Sequence, residues 1–290
     1  MKRDEFLGPP EHSQRPEHSP PRGATDCHAH IFGPFDRFPL VAERSYSPPE
    51  LPGERYLRML DEIGFERGVL VQPTPHGTDC SAMLHALSLD RSRLRGIAVV
   101  PSSIAFHELE EMNQQGVRGA RFCQPPGAAY RGGIDFSALE KLAPHLARLG
   151  WHAQVWASCD ALLAAMPRLL TQGVPLVVDH MGHFEIDRGM NDPSFQGLLR
   201  LVGEGRIWLK LGSFRLSDRY PNYEDLVPFH RAIVAANSER LIWGSDWPHV
   251  HMTAQMPDVG HLIDLLNVWT DDAVITRRIL VDNPVTLYGF

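Results

Sequence analysis

What most constrains this 290-residue chain is a repeated alternation along its length. Eight short apolar runs, at 25–30, 68–72, 96–100, 119–122, 152–156, 176–180, 207–211 and 241–245, read as strands. Between them lie stretches whose apolar residues recur at helical spacing, at 56–63, 81–89, 106–115, 138–149, 161–170, 195–202 and 225–236. Gly64, Gly116, Gly150, Gly173 and Gly203 follow five of these stretches, where a residue that tolerates positive φ ends a helix at little cost. Strand–helix repeats of this kind build a parallel sheet covered by helices. Eight of them predict a single-domain α/β protein, a (β/α)8 or TIM barrel. No GxGxxG follows the first strand, which argues against an open dinucleotide-binding sheet.

Composition limits the function. Hydrophobic residues make up 43% and charged residues 22%, enough apolar material for a core without cross-links. Cys27, Cys80, Cys123 and Cys159 stand singly, with no CxxC pair, and read as free thiols in a reducing compartment. The formal net charge is −7 and no Lys/Arg cluster could track a phosphate backbone, so nucleic acid is excluded as a partner. No apolar run approaches the roughly 20 residues of a membrane span, nor is there a signal-peptide core, so a cytoplasmic protein without membrane contact is expected. Residues 1–22 contain Pro9, Pro10, Pro16, Pro20 and Pro21 and are expected to be a disordered, functionally silent leader before a barrel spanning 23–290.

In a TIM barrel the chemistry sits at the C-terminal ends of the strands. Strand one ends Asp26-Cys27-His28-Ala29-His30, and the two-residue period of a strand turns His28 and His30 to one face, with Cys27 and Ala29 toward the helices. Strand six ends Val178-Asp179-His180, and strand eight runs Trp243-Gly244-Ser245-Asp246 before Trp247-Pro248 stops it. Three histidines and an aspartate therefore meet at one rim. An His-x-His pair suits holding a divalent metal or polarising a carbonyl, and an ionised aspartate can activate water, so hydrolysis is the natural reaction class.

These three motifs resemble the amidohydrolase-related family, in the branch of the 2-pyrone-4,6-dicarboxylate lactonase-like hydrolases, over residues 23–290. The resemblance implies that Asp246 activates the hydrolytic water while His28, His30 and His180 polarise a lactone carbonyl. It places Arg121, Arg131 and Arg215 on the acid groups of a small anionic lactone, with Tyr46, Thr74 and His76 as further pocket positions. The substrate it implies is pyrone-dicarboxylate-, muconolactone- or aldarolactone-like, and it also implies a homo-oligomer. Two positions depart from the branch. Trp156 stands where a tyrosine is usual, and His183 where an arginine is usual, which puts the pyrone dicarboxylate itself in doubt.

No cofactor is expected to be required. A divalent metal such as zinc, if bound, would take His28, His30 and Asp246, because Arg121 and Trp156 cannot serve as the customary ligand from strand four or five, and His152 begins its strand away from the rim. Trp151, Trp208 and Trp243 read as core, Arg118 as a surface or ion-pairing residue, His249 and His251 as lining or capping the mouth, and Lys210 has no assignment. Two rivals remain: a metal-dependent decarboxylase of aromatic or related acids built on the same triad, and a barrel kept as a small-molecule binding or assembly module.

Overall fold

The computed structural model describes residues 6–124, 133–212 and 214–290. Eight strands run in sequence order around the sheet: β1 (Thr25–Ala29), β2 (Arg67–Val71), β3 (Leu94–Ala98), β4 (Val117–Gln124), β5 (His152–Ala157), β6 (Leu176–Val178), β7 (Trp208–Leu211) and β8 (Leu241–Trp243). Each pairs in parallel with the next, as strand–helix repeats require. Among the described residues the helices that follow the strands are α1 (Gly53–Ile63), α2 (Ser81–Leu89), α3 (Phe106–Gln114), α4 (Phe136–Leu149), α5 (Cys159–Leu169), α6 (Pro193–Gly203), α7 (Val227–Asn237) and α8 (Val259–Thr270).

The local signals explain the boundaries. Along α1, Tyr56, Met59, Leu60 and Ile63 are buried at spacings of three and four, so one stripe faces the sheet, and Gly64 at φ 96° ends the helix. Asp135 caps α4 by accepting the Ser137 N–H, and Gly150 ends it at φ 67°. After α6 the turn residue is Gly205, at φ 67°, whereas Gly203 is the last residue of the helix itself. The expected stop was thus two residues early. Helix α8 was not anticipated: Leu262, Ile263, Leu265, Leu266 and Trp269 are buried on a broad face, which blurs the amphipathic signature that flags a surface helix.

Most of the core lies between strands and helices, and a smaller cluster of Cys27, Val69, Val71, Ile97, Val177, Trp208, Ile242 and Tyr288 fills the barrel interior. Trp151, Trp208 and Trp243 are all buried. Cys27 corrects the alternation read from the sequence, because it joins the interior cluster instead of facing the helices. The cause is a register shift between Asp26 and Ala29, where two residues of β1 stand against one of β2. Such a bulge lets Cys27 and His28 both turn inward. All four cysteines are free and buried, and burial raises the thiol of each.

The seam between β8 and β1 is closed by few backbone contacts. His30 N–H donates to Trp247 O at 2.7 Å, and Asp246 N–H donates to His28 O at 2.8 Å. Asp26 staples the same seam, accepting from Ser245 N–H at 2.8 Å and Ser245 Oγ–H at 2.6 Å, with Tyr56 Oη at 3.1 Å. Burial pushes its carboxyl up to about 6, against the pull of these hydrogen bonds. The seam therefore joins the end of β1, where His28 and His30 stand, to Asp246, three residues beyond β8.

Residues 6–22 form no helix or strand and lie as an extended strap along the barrel. Backbone N–H groups of Ser13, Gln14, Glu17 and His18 donate to carboxylates of Glu62, Asp258 and Asp264. Phe6 ends the strap edge-on to Tyr46 and His251. No helix among the described residues is long and apolar enough to cross a membrane.

Candidate active site

The strand ends converge as the barrel rule requires. Asp246 Oδ1 lies 3.4 Å from His30 Nε2 and 3.7 Å from His28 Nε2, and Asp246 Oδ2 lies 4.0 Å from His180 Nε2. The rings of His28 and His180 are 4.8 Å apart. His180, His183 and Asp246 all take the left-handed backbone region, at φ 48°, 46° and 56°, a conformation that costs a non-glycine residue about 1 kcal/mol or more and collects at functional sites.

A cavity of about 70 Å³ opens above this cluster, lined by His30, His180 and Asp246 together with Arg121, Arg215, Trp156, His183, Tyr46, Thr74 and Val250. Every cluster residue named from the sequence except His28 lines it, and His28 sits beneath, 0% exposed. Of the implied pocket positions, Tyr46, Thr74, Arg121, Trp156, His183 and Arg215 are lining residues. His76 is set back from the cavity, buried and stacked on Phe32. Arg131 lies outside the described residues. His249 is buried against Phe214, and His251 packs edge-on to Tyr46. Arg118 bonds the carbonyls of Asn113 and Val117, not an acid.

Electrostatics separates the groups. Burial opposes ionisation of Asp246, yet Arg215, whose Nε donates to Oδ2 at 2.6 Å, and the surrounding histidines hold the carboxyl well below the usual range. Asp246 is therefore an anion at neutral pH. Burial and neighbouring cations lower His28 to about 3 and His183 to about 4, and burial puts His180 well below 6.5. His28, His180 and His183 are accordingly neutral. The ring of His30 is oriented by Nδ1–H, which donates to Val71 O at 2.7 Å.

The two departures from the branch pattern meet each other, since the Trp156 indole N–H donates to His183 Nε2. One substitution thus supplies the donor that the other accepts.

Below the cavity lies a polar group that sequence reading did not assign. Asp179 accepts from Gln154 Nε2 at 3.1 Å and from Arg121 Nη2 at 3.3 Å, and its Oδ1 is 3.1 Å from Lys210 Nζ. Burial opposes its charge, but Lys210 foremost and Arg121 hold the carboxyl well below its ordinary range. The signal was present in strand period: His152, Gln154 and Trp156 share one face of β5, and Val177 and Asp179 share the interior face of β6. Lys210 falls on the interior face of β7 with Trp208.

Among the described residues two acid–imidazole groups could hold a metal ion, His28–His30–Asp246 and His28–Asp179–His180. In the first, the ligand atoms stand 3.3 Å, 3.4 Å and 3.7 Å from one another, a spacing that suits three donors around one small divalent ion such as zinc. These are the residues that would bear it.

Comparison with known proteins identifies the family. The amidohydrolase family profile matches residues 25–290, and the chain belongs to that family. It is 36% identical to a 4-sulfomuconolactone hydrolase of Rhizobium radiobacter, over 93% of this chain and 91% of the relative. It is 33% identical to a 2-pyrone-4,6-dicarboxylate hydrolase of Comamonas testosteroni, over 94% of this chain and 92% of that protein. A solved probable 2-pyrone-4,6-dicarboxylic acid hydrolase of Acinetobacter baumannii with citric acid bound superposes with a TM-score of 0.79 at 28% identity, covering 92% of this chain and 100% of the other.

Proposed function

We propose that this member of the amidohydrolase family is an enzyme that hydrolyses a small anionic lactone, opening the cyclic ester to a hydroxy acid or its tautomer. The observation that carries the reading is the lining of one cavity, where an ionised Asp246 stands among the imidazoles of His30 and His180 with the guanidinium groups of Arg121 and Arg215. A lactone with an acid substituent needs both sets of groups. Relatives that act on muconolactone and pyrone-dicarboxylate rings favour ring opening over decarboxylation.

The arginines grip a carboxylate or sulfonate through their planar N–H forks. This turns the ring carbonyl toward the histidine cluster, where an imidazole N–H stabilises the charge that grows on oxygen as water adds. Asp246 takes the proton from the attacking water, the C–O bond of the ring breaks, and the departing oxygen recovers that proton from the carboxyl of Asp246. Arg215 serves both ends of this sequence, since it bonds Asp246 while lining the cavity. A divalent ion on His28, His30 and Asp246 would add Lewis acidity at the carbonyl. The residue roles above do not depend on one.

The test is a panel of carboxylated and sulfonated five- and six-membered lactones, followed by ultraviolet absorbance or a pH indicator, with protein prepared with and without a strong chelator. Turnover of an anionic lactone, and none of its uncharged analogue at equal concentration, is expected. Carbon dioxide release from aromatic acids with no lactone opened would overturn the reading.

A further inference from the structure

Lys210 is 1% exposed, yet it sits directly under the catalytic cluster in the barrel interior. Its ammonium is surrounded by three acceptors: Gln154 Oε1 at 3.0 Å, Asp179 Oδ1 at 3.1 Å and His28 Nδ1 at 3.2 Å. An ammonium has three protons and no lone pair, so each contact can only be a donation from Nζ. The nitrogen it meets on His28 must then carry a lone pair. A neutral ring in that state bears its proton on Nε2.

The far side of the ring is compatible with that proton. His28 Nε2 lies 3.3 Å from His30 Nε2 and 3.7 Å from Asp246 Oδ1. An N–H on His28 Nε2 therefore points toward a carboxylate, where a lone pair would face its negative charge. Asp179 Oδ1, 3.4 Å from His28 Nδ1, is the competing partner for the ring, and Lys210 Nζ lies nearer to both, at 3.1 Å from that oxygen and 3.2 Å from Nδ1.

We propose that Lys210 is a positioning residue for the reaction: by donating to His28 Nδ1 it fixes the ring as the Nε2–H tautomer, so that His28, buried beneath the cavity, turns an N–H toward the His30–Asp246 pair that lines it. Asp179 and Gln154 hold the ammonium in place, which makes the buried pair an orienting device and not merely a filler of the barrel. The bearing of that N–H on catalysis rests on the lactone-opening reading, whereas the tautomer itself does not. One consequence concerns metal: in this state His28 Nε2 has no lone pair to offer, so a divalent ion could use His28 only after Nδ1 exchanged Lys210 for Asp179 as its partner.

The experiment is nitrogen NMR of the full chain labelled with 15N-histidine at neutral pH, with the His28 signals assigned by their loss in His28→Gln. His28 Nδ1 is expected at the unprotonated position and Nε2 at the protonated one. In Lys210→Met the ring is expected to flip to Nδ1–H, facing Asp179, and kcat to fall by about 10²- to 10⁴-fold, the upper end being the scale of a wrong histidine tautomer, with KM changed less than about threefold. Because Lys210→Met leaves Asp179 without its ammonium, the charge-neutral pair Lys210→Met with Asp179→Asn provides a second fold in which to read the tautomer. Protonation of wild-type His28 on Nδ1, or retention of Nε2–H after Lys210 is removed, overturns the proposal. The expected spectra without turnover of any lactone would leave the orienting role standing and sink the functional reading instead.

Discussion

Asp179 and Asp246 each follow a barrel strand, each is buried and each approaches His28, yet the barrel treats them differently. Asp179 lies on the floor with Lys210, Arg121 and Gln154 around it, and no part of it lines the cavity. Asp246 lies at the rim and lines the cavity, with Arg215 holding Oδ2 while Oδ1 faces the imidazoles. Burial alone therefore does not mark a catalytic acid. A carboxylate set among fixed cations away from the cavity orients its neighbours, and one that lines the cavity is placed to meet substrate and water.

Removing the floor carboxylate tests that contrast most severely. Asp179→Asn leaves the Lys210 ammonium buried without its counter-ion, and loss of one partner of such a pair costs about 3–5 kcal/mol. A denaturant titration that moved by less than about 1 kcal/mol would show that the floor is not an ion-paired plug. At the rim, Arg215→Gln should act on substrate instead of fold. Loss of a charge-assisted contact of about 1.5–3 kcal/mol predicts a KM for an anionic lactone about 10- to 100-fold higher. With Arg215 gone the Asp246 carboxyl rises toward its ordinary range, so the acid limb of the kcat profile moves to higher pH. An unshifted limb would separate Arg215 from the base.

The buried imidazoles predict an acid-labile fold. His28 and His152 are lowered to about 3, and His183, His230 and His249 to about 4, all chiefly by burial, so the folded chain keeps them neutral where the unfolded chain protonates them. The unfolded state binds more protons below about 6.5, and stability must fall as pH falls from there toward 4. More than one proton is taken up, so the slope near pH 5 should exceed about 1.4 kcal/mol per pH unit, read from denaturant midpoints. Asp26 works in the opposite direction, because a carboxyl raised to about 6 favours folding once it is protonated, but it is one group against five. The smallest effect is expected at Trp156→Phe. It leaves His183 Nε2 without the indole donor and should change KM by about threefold to tenfold, on the scale of one neutral hydrogen bond.

The site was legible because its residues follow the two rules that sequence exposes, strand period and the C-terminal rim. His28, His30, His180 and Asp246 could be placed together on that basis, and the resemblance then supplied Arg121 and Arg215 in the cavity lining. What escaped depends on partners far away in sequence. The bulge that turns Cys27 inward is set by pairing with β2. Lys210 gains its role only when β5 and β6 bring Gln154 and Asp179 beside it. The strap at 6–22 has the composition of a leader, and its anchors are carboxylates on α1 and near α8.

The central claim, that the rim carboxylate is the base, is tested most directly by kcat of Asp246→Asn on the best anionic lactone, beside wild type and with near-ultraviolet circular dichroism to confirm the fold. A folded variant slowed by about 10²- to 10⁴-fold is the predicted result, the usual weight of a positioned base. Turnover within a few-fold of wild type would contradict the account.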